Sequence, residues 1–230
     1  MSYSKTRLSW EFYKAAESSF FDFLEYVPLK KDNETVVSPK LLMLIFQIGN
    51  FVDTTFKHMA QYSKLSQDPH IQKILNKLKG STKDFVTIGD CRVAFEGIYK
   101  LSEREVIVKS QPFFLPELTH LAPLKSYTTM VPFSEFGRKK RPTWWIIYKG
   151  LKHYSLEKIE DATMRNALEA LSGLFLLNII DEQNWSLLAW EVVDGSLHSP
   201  SQIFTPRSAH TKLFYFEWKE KIEFNWPKEI

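Results

Sequence analysis

Apolar and small residues recur at three- and four-residue spacing along most of the chain. Leu8, Phe12, Ala15 or Ala16, Ser19, Phe23 and Tyr26 predict an amphipathic helix over 7–27, ended by Pro28 and the polar stretch from Lys30 to Thr35. Ser38-Pro39 then reads as an N-cap followed by proline in the first turn. The helix it opens runs to about Tyr62. Leu41, Ile45, Ile48, Val52, Phe56 and Met59 form its apolar stripe, with Asn50, Asp53, Thr54 and Lys57 roughly opposite. A short helix follows Asp68-Pro69 to about Leu78, and Thr87 caps another through Tyr99. Glu105 to Lys109 is the best local strand signal. Residues 110–142 hold five of the eleven prolines and predict a long irregular connection. Two strong helices come next, over 143–153 and 156–182. The second carries Ala162, Ala167, Ala170 and Gly173, small enough for a neighbouring helix to approach closely. The tail from Asn184 holds Trp185, Trp190, Trp218 and Trp226, and its segment Leu213 to Trp218 reads either as a strand or as an aromatic strap. The expected fold class is all-α, a helical bundle over 1–183 with an aromatic-rich extension over 184–230 packed on it.

The helix over 143–153 carries most of the functional argument. At about 100° per residue, Trp144, Ile146, Ile147, Tyr148 and Leu151 cover more than half its circumference, which predicts a central position. The remaining sector holds Trp145, Lys149, Lys152 and His153. Cations confined to a narrow strip of a buried helix are costly unless the strip meets a cleft, a partner or solvent. One reading makes the strip an anion site. The other has the lysines reaching solvent while His153 complements the helix C-terminus. Just upstream, Arg138-Lys139-Lys140-Arg141 places four cations at a helix N-terminus, where they oppose the macrodipole. With Pro142 in the first turn, free backbone N–H groups beside that run suit a phosphate; a solvated basic loop is the other reading.

Composition adds bounds rather than an activity. Hydrophobic residues make up 44% of the 230, too many for a disordered chain. Thirty Lys and Arg against 27 Asp and Glu leave a net charge of +3, too weak to announce a nucleic-acid partner by itself. A single cysteine, Cys91, rules out an internal disulfide or a Cys-cluster metal site and reads as a core residue. The longest strictly apolar run, Leu41 to Phe46, is far short of the roughly 20 residues that span a bilayer. The first residues lack a signal-peptide core, so a cytoplasmic location without membrane contact is expected. Neither G-x-G-x-x-G, a P-loop nor G-x-S-x-G occurs, and the six histidines show no zinc-type spacing. No cofactor and no metal are expected. Tail aromatics such as Trp218 could stack bases, although core packing is their commoner use.

Trp144-Trp145-Ile146-Ile147-Tyr148-Lys149-Gly150-Leu151-Lys152-His153, followed by Ala162-Thr163 and Asn166-Ala167-Leu168 with Ala170-Leu171, resembles the pattern W-x-x-Y-N-x-L-K-H … A-T-x-x-N-x-L-x-A-L. That pattern belongs to an uncharacterised prokaryotic branch of the HEPN superfamily (higher eukaryotes and prokaryotes nucleotide-binding). The match covers about 142–180, with a weaker one over the first two helices. It implies a HEPN-like bundle of four or five helices, frequently a homodimer, with RNA as the usual substrate. Many such proteins are metal-independent endoribonucleases of toxin or phage-defence type, and a toxin would have a protein antitoxin as partner. Their signature is an arginine four to six residues before a histidine. Here His153 supplies the histidine, whereas residues 147–149 are Ile, Tyr and Lys.

In an active site of that kind, a ribose 2′-OH attacks its own phosphate with His153 as acid or base. Lys149 and Lys152 offset the developing charge, and Asp53 or Asn50 orients the imidazole. The expected catalytic set is therefore His153, Lys149 and Asp53. The expected RNA or phosphate contacts are Lys152, Arg138, Lys139, Lys140, Arg141 and Trp145. For Asp53 and Lys57 the competing reading is an exposed ion pair one helical turn apart. A catalytically inactive helical module that dimerises through the same face is the alternative function.

Overall fold

The computed structural model describes residues 5–62, 67–80, 85–109, 128–154, 157–188, 193–198, 203–219 and 224–225. Most helices fall close to where periodicity places them: α1 Lys5–Leu24, α2 Pro39–Tyr62, α3 Pro69–Lys79, α4 Ile88–Tyr99, α6 Thr143–Tyr154 and α7 Met164–Ile180, whereas the one-turn helices α5 Ser134–Gly137 and α8 Trp185–Leu188 lie in the expected irregular connection and in the tail. Local chemistry explains several starts. Asp68 accepts from the backbone N–H groups of His70 and Ile71 with Pro69 in the first turn. Thr87 and Asp90 form a reciprocal capping box at α4.

The expected helix over 156–182 begins only at Met164. Residues 159–161 form a 3₁₀ turn, and Thr163 caps α7 by accepting from Asn166 N–H at 3.2 Å. The N–H groups of Met164 and Arg165 are taken by the carbonyls of Val36 and Glu34, so the chain before α2 closes this helix end.

The central helix is α7, where every residue from Ala170 to Ile180 is buried. A helix enclosed all round belongs at the core. It packs against α1, α2 and α6, and Gly173 lets the Trp144 ring lie against it: a Cβ there would be 3.1 Å from Trp144 Cζ2. Trp144 is further fixed by an N–H to Pro132 O bond of 2.7 Å and by edge-on contact with Phe133.

α6 packs on α2 and α7 as expected, but it flanks the bundle instead of filling its centre. Trp144, Trp145, Tyr148 and Leu151 are buried, whereas Ile146 is 57% exposed. The helix is rotated relative to the predicted orientation because the larger Trp145 ring takes the inward position.

The structure is mostly helical as expected, but the all-α expectation is corrected by antiparallel strands among the described residues: β1 Val106–Val108, β2 Thr128–Met130, β3 Val193–His198, β4 Ile203–His210, β5 Phe214–Glu217 and β6 Phe224–Asn225. The sheet runs β2-β1-β5-β4-β3, with β6 also beside β4. β1 lies within the predicted 105–109 strand, and β5 settles the choice for 213–218. Phe214 and Phe216 point inward while Tyr215 and Glu217 face out, the two-residue period of a half-buried strand. Because β1 and β2 pair within one sheet with β5, that sheet crosses the 183/184 division read from the sequence. Phe214 stacks on Phe175 of α7 at 5.4 Å, which seats the sheet on the bundle. Residues 110–127 of the proline-rich connection, together with Trp190 and Trp226, lie outside the described residues.

Candidate functional site

Tyr148 organises the expected site. Its ring lies against Gly49 of α2, and its hydroxyl donates to Asn50 Oδ1 at 2.8 Å. Lys149 Nζ stands 5.6 Å from the Tyr148 ring centre and 5.7 Å from that of Trp145. Lys152 Nζ lies 5.8 Å from the Tyr148 ring. Two ammonium groups are thus held over one buried aromatic pair, a geometry that cation–π attraction favours. Both lysines and Asn50 are exposed. Lys149, Lys152 and Asn50 therefore come together at the surface around the buried Tyr148 ring.

His153 and Asp53 do not join it as a dyad. Asp53 is bound by Lys57 one turn along α2, the ion-pair reading of those residues. His153 is exposed at the last turn of α6, and its described contact is the Tyr154 ring at 6.3 Å. No described side chain hydrogen-bonds its imidazole. Trp145 is corrected as well: it is 2% exposed and edge-on to Trp144 and Tyr148, so its faces are closed to a base. Tyr154, at 56% exposure, is the open ring on this helix. Trp218 is likewise buried, against Trp185 and Phe216.

Arg138, Lys139, Lys140 and Arg141 are all exposed in the turn between α5 and α6, with Lys139 in the left-handed region at φ 58°. The phosphate expected at the α6 N-terminus meets an internal competitor. Glu135 Oε1 accepts from Thr143 N–H at 3.3 Å and from its hydroxyl at 2.8 Å. Pro142 is the cap residue, its carbonyl accepting from Trp145 and Ile146. A carboxylate already complements this helix end. The four cations project past it into solvent and, like Lys149 and Lys152, make no ion pair with a described acid.

One polar cleft was not legible in the sequence. It measures about 190 Å³ and is lined by Glu135, Ser134, Thr143, Arg165, Asn166 and Glu169 above Val131 and Pro132. Arg165 bridges Glu34 at 3.0 Å and Glu169 at 3.2 Å. Burial lifts the Glu169 carboxyl above its ordinary range; Arg165 opposes that rise while Glu135 and Glu34 add to it. Only the Arg165–Glu169 spacing is visible along the chain; Glu135 and Glu34 arrive through the fold.

Among the described residues no cluster of three or more His, Cys, Asp or Glu side chains is placed to hold a metal, and no helix is long and apolar enough to cross a membrane. Cys91 is buried, and burial pushes its thiol far above the reactive range. Neither a protein-family model, nor a curated protein, nor a solved structure matches the chain.

Proposed function

We propose that this chain is a HEPN-like protein that binds RNA through the solvent face of α6. The observation that supports it is the set of six exposed cations without acidic partners among the described residues, Arg138 to Arg141 at one end of α6 and Lys149 and Lys152 near the other. A helix of 12 residues is about 18 Å long, so these groups flank a strip matched to several phosphates of one strand. Exposed cations that no acid neutralises release counterions when a polyanion replaces their solvent. Tyr154 adds a ring on which a base can stack.

Binding is favoured over cleavage by two observations. His153 lacks an orienting hydrogen bond from a described side chain, and Asp53 is engaged by Lys57. If the bound strand is cut, His153 is the acid or base and Lys149 the group nearest the developing phosphorane charge. A homodimer through this face would set two such strips together, and sedimentation of the pure chain with and without RNA reads that assembly.

Labelled single-stranded RNA, titrated at rising salt, tests the proposal. Affinity should fall steeply with salt. Replacing Lys149 and Lys152 by alanine should weaken binding and flatten the slope by about 1.4 for two phosphate contacts. No affinity at low salt, or an unchanged slope in the double variant, would sink it. Incubation with EDTA present separates the two roles: metal-independent fragments that disappear in His153→Ala assign cleavage, whereas bound but intact RNA assigns a binding protein.

A further inference from the structure

Between α6 and α7 the chain turns back along the helix it has just left. Lys158 N–H donates to Tyr154 O at 3.0 Å, the Lys158 carbonyl accepts from Asp161 N–H at 3.0 Å, and Ile159 packs against the core. Lys158 therefore stands on a fixed turn. Its side chain lies across α6 at Gly150: a Cβ at that glycine would be 3.2 Å from Lys158 Cδ and 3.9 Å from its Nζ.

Glycine is, after proline, the least favourable residue for a helix interior, yet Gly150 sits inside α6. Here the missing side chain leaves a notch that the Lys158 stem fills. A lysine stem laid on a helix with its ammonium in water is ordinary; its direction is not. Glu157, Glu160 and Asp161 all stand within three residues of Lys158. It makes no ion pair with a described acid and extends over α6 instead.

The place on the helix decides what that ammonium can reach. At about 100° per residue, with Lys149 taken as zero, His153 lies about 40° round α6 and Gly150 about 100°, while Lys152 lies about 60° the other way. Lys149 and Gly150 are each about one turn from His153, a Cβ separation of about 5–6 Å. The imidazole therefore stands between two flanks. Lys149 and Lys152, over the Tyr148 ring, form one, and Lys158 in its notch forms the other. His153 and all three lysines are exposed.

We propose that Lys158 is a further phosphate contact of the α6 strip, seated by Gly150 so that a strand phosphate lying over His153 is gripped from both sides. The assignment rests on the RNA reading of α6 and sharpens it. This end of the strip is not a row of separate surface charges: cations on both sides of one imidazole fit a single backbone phosphate. Glu157 and Glu160, exposed in the same turn, oppose a polyanion carried further, which makes Lys158 the last contact.

Titration of the full chain with labelled single-stranded RNA over a range of salt tests the contact. Lys158→Ala should weaken binding about fivefold near 0.1 M salt and flatten the slope of log affinity against log salt by about 0.7, the counterion release of one phosphate. Lys158→Arg should restore both. Lys73→Ala, which removes an exposed charge from α3, should change neither. Gly150→Leu keeps every charge but fills the notch; it should weaken binding as far as Lys158→Ala does and add nothing when the two are combined. Parent-like affinity in Lys158→Ala, while the Lys149→Ala, Lys152→Ala variant loses it, would overturn the Lys158 contact and leave the RNA reading standing. An equal loss in Lys73→Ala, or losses that add in the Gly150→Leu, Lys158→Ala protein, would also overturn it. A parent chain that binds no RNA at low salt removes the reading and the contact together.

Discussion

Gly49→Ala should cost at least about 3 kcal/mol of folding stability, in the range of severe core disruptions, despite adding a single methyl group. In the middle of a helix, alanine normally stabilises relative to glycine by roughly 0.5–1 kcal/mol, so the sign itself is diagnostic. The reason is Tyr148. A Cβ at position 49 falls inside the van der Waals envelope of the ring, 2.6 Å from Cε2 and nearer still to Cγ and Cδ2. The ring cannot swing aside, because its hydroxyl is held by Asn50 and one edge is packed by Trp145. Truncating the ring alone, in Tyr148→Ala, should cost about 3–5 kcal/mol as other buried aromatic truncations do. The two changes share one contact, so the double variant should be clearly more stable than the sum of the single losses. Urea denaturation of the four proteins measures the cycle. Additive losses, or a Gly49→Ala protein as stable as the parent, would mean that α2 and α6 do not meet through this glycine.

Glu17→Ala should lose about 3–5 kcal/mol, comparable to breaking a buried ionic network from one side. The Glu17 carboxylate is 8% exposed, and one oxygen, Oε1, accepts three hydrogen bonds. They come from Tyr13 hydroxyl at 2.7 Å, Thr211 hydroxyl at 2.6 Å and Leu213 N–H at 3.2 Å. Tyr13, raised well above the phenol range by burial and by the Glu17 charge, remains a donor throughout. Removing the acceptor leaves these donors short of partners away from water and frees the turn that leads into β5. Glu17→Gln keeps an acceptor oxygen and should lose much less. Chemical denaturation gives the totals, and exchange at Leu213 and Phe214 shows whether the turn is what opens. Losses below about half a kcal/mol in Glu17→Ala would show that the turn holds without its carboxylate.

The helical part of the fold was legible because its signals are local. Thr87 with Asp90, Asp68 with Pro69, and the apolar stripe of α2 each state their structure within a few residues. The sheet was harder, since its strands are short and borrow partners from far along the chain. β4 carries Pro206, which reads as a strand breaker, and the β3–β4 register shifts between Asp194 and Gly195. At the candidate site, the lysines of α6 were found by their spacing, and Asn50 by its place on α2. The inward turn of Trp145 could not be seen, because two adjacent tryptophans offer no periodic clue as to which faces the core. Nor could Glu135 at the α6 N-terminus, or His58 beside Asp181. Those pairs form only when separate helices pack, and isolated letters such as one histidine among six carry no record of that.

The pairing of β1 with β5 joins Ile107 to Tyr215 and Val108 to Phe214. These partners are separated by more than a hundred residues, so β1 emerges from synthesis long before the strand that covers it. Throughout that interval its hydrogen-bonding edge and the Phe175 ring of α7 stay open to any other extended segment nearby. Closing so long a loop comes at an entropic cost that helix pairing by adjacent segments avoids. The bundle should thus assemble first and the sheet last. In a crowded cell, the vulnerable species is a finished set of helices still waiting for residues 203–217.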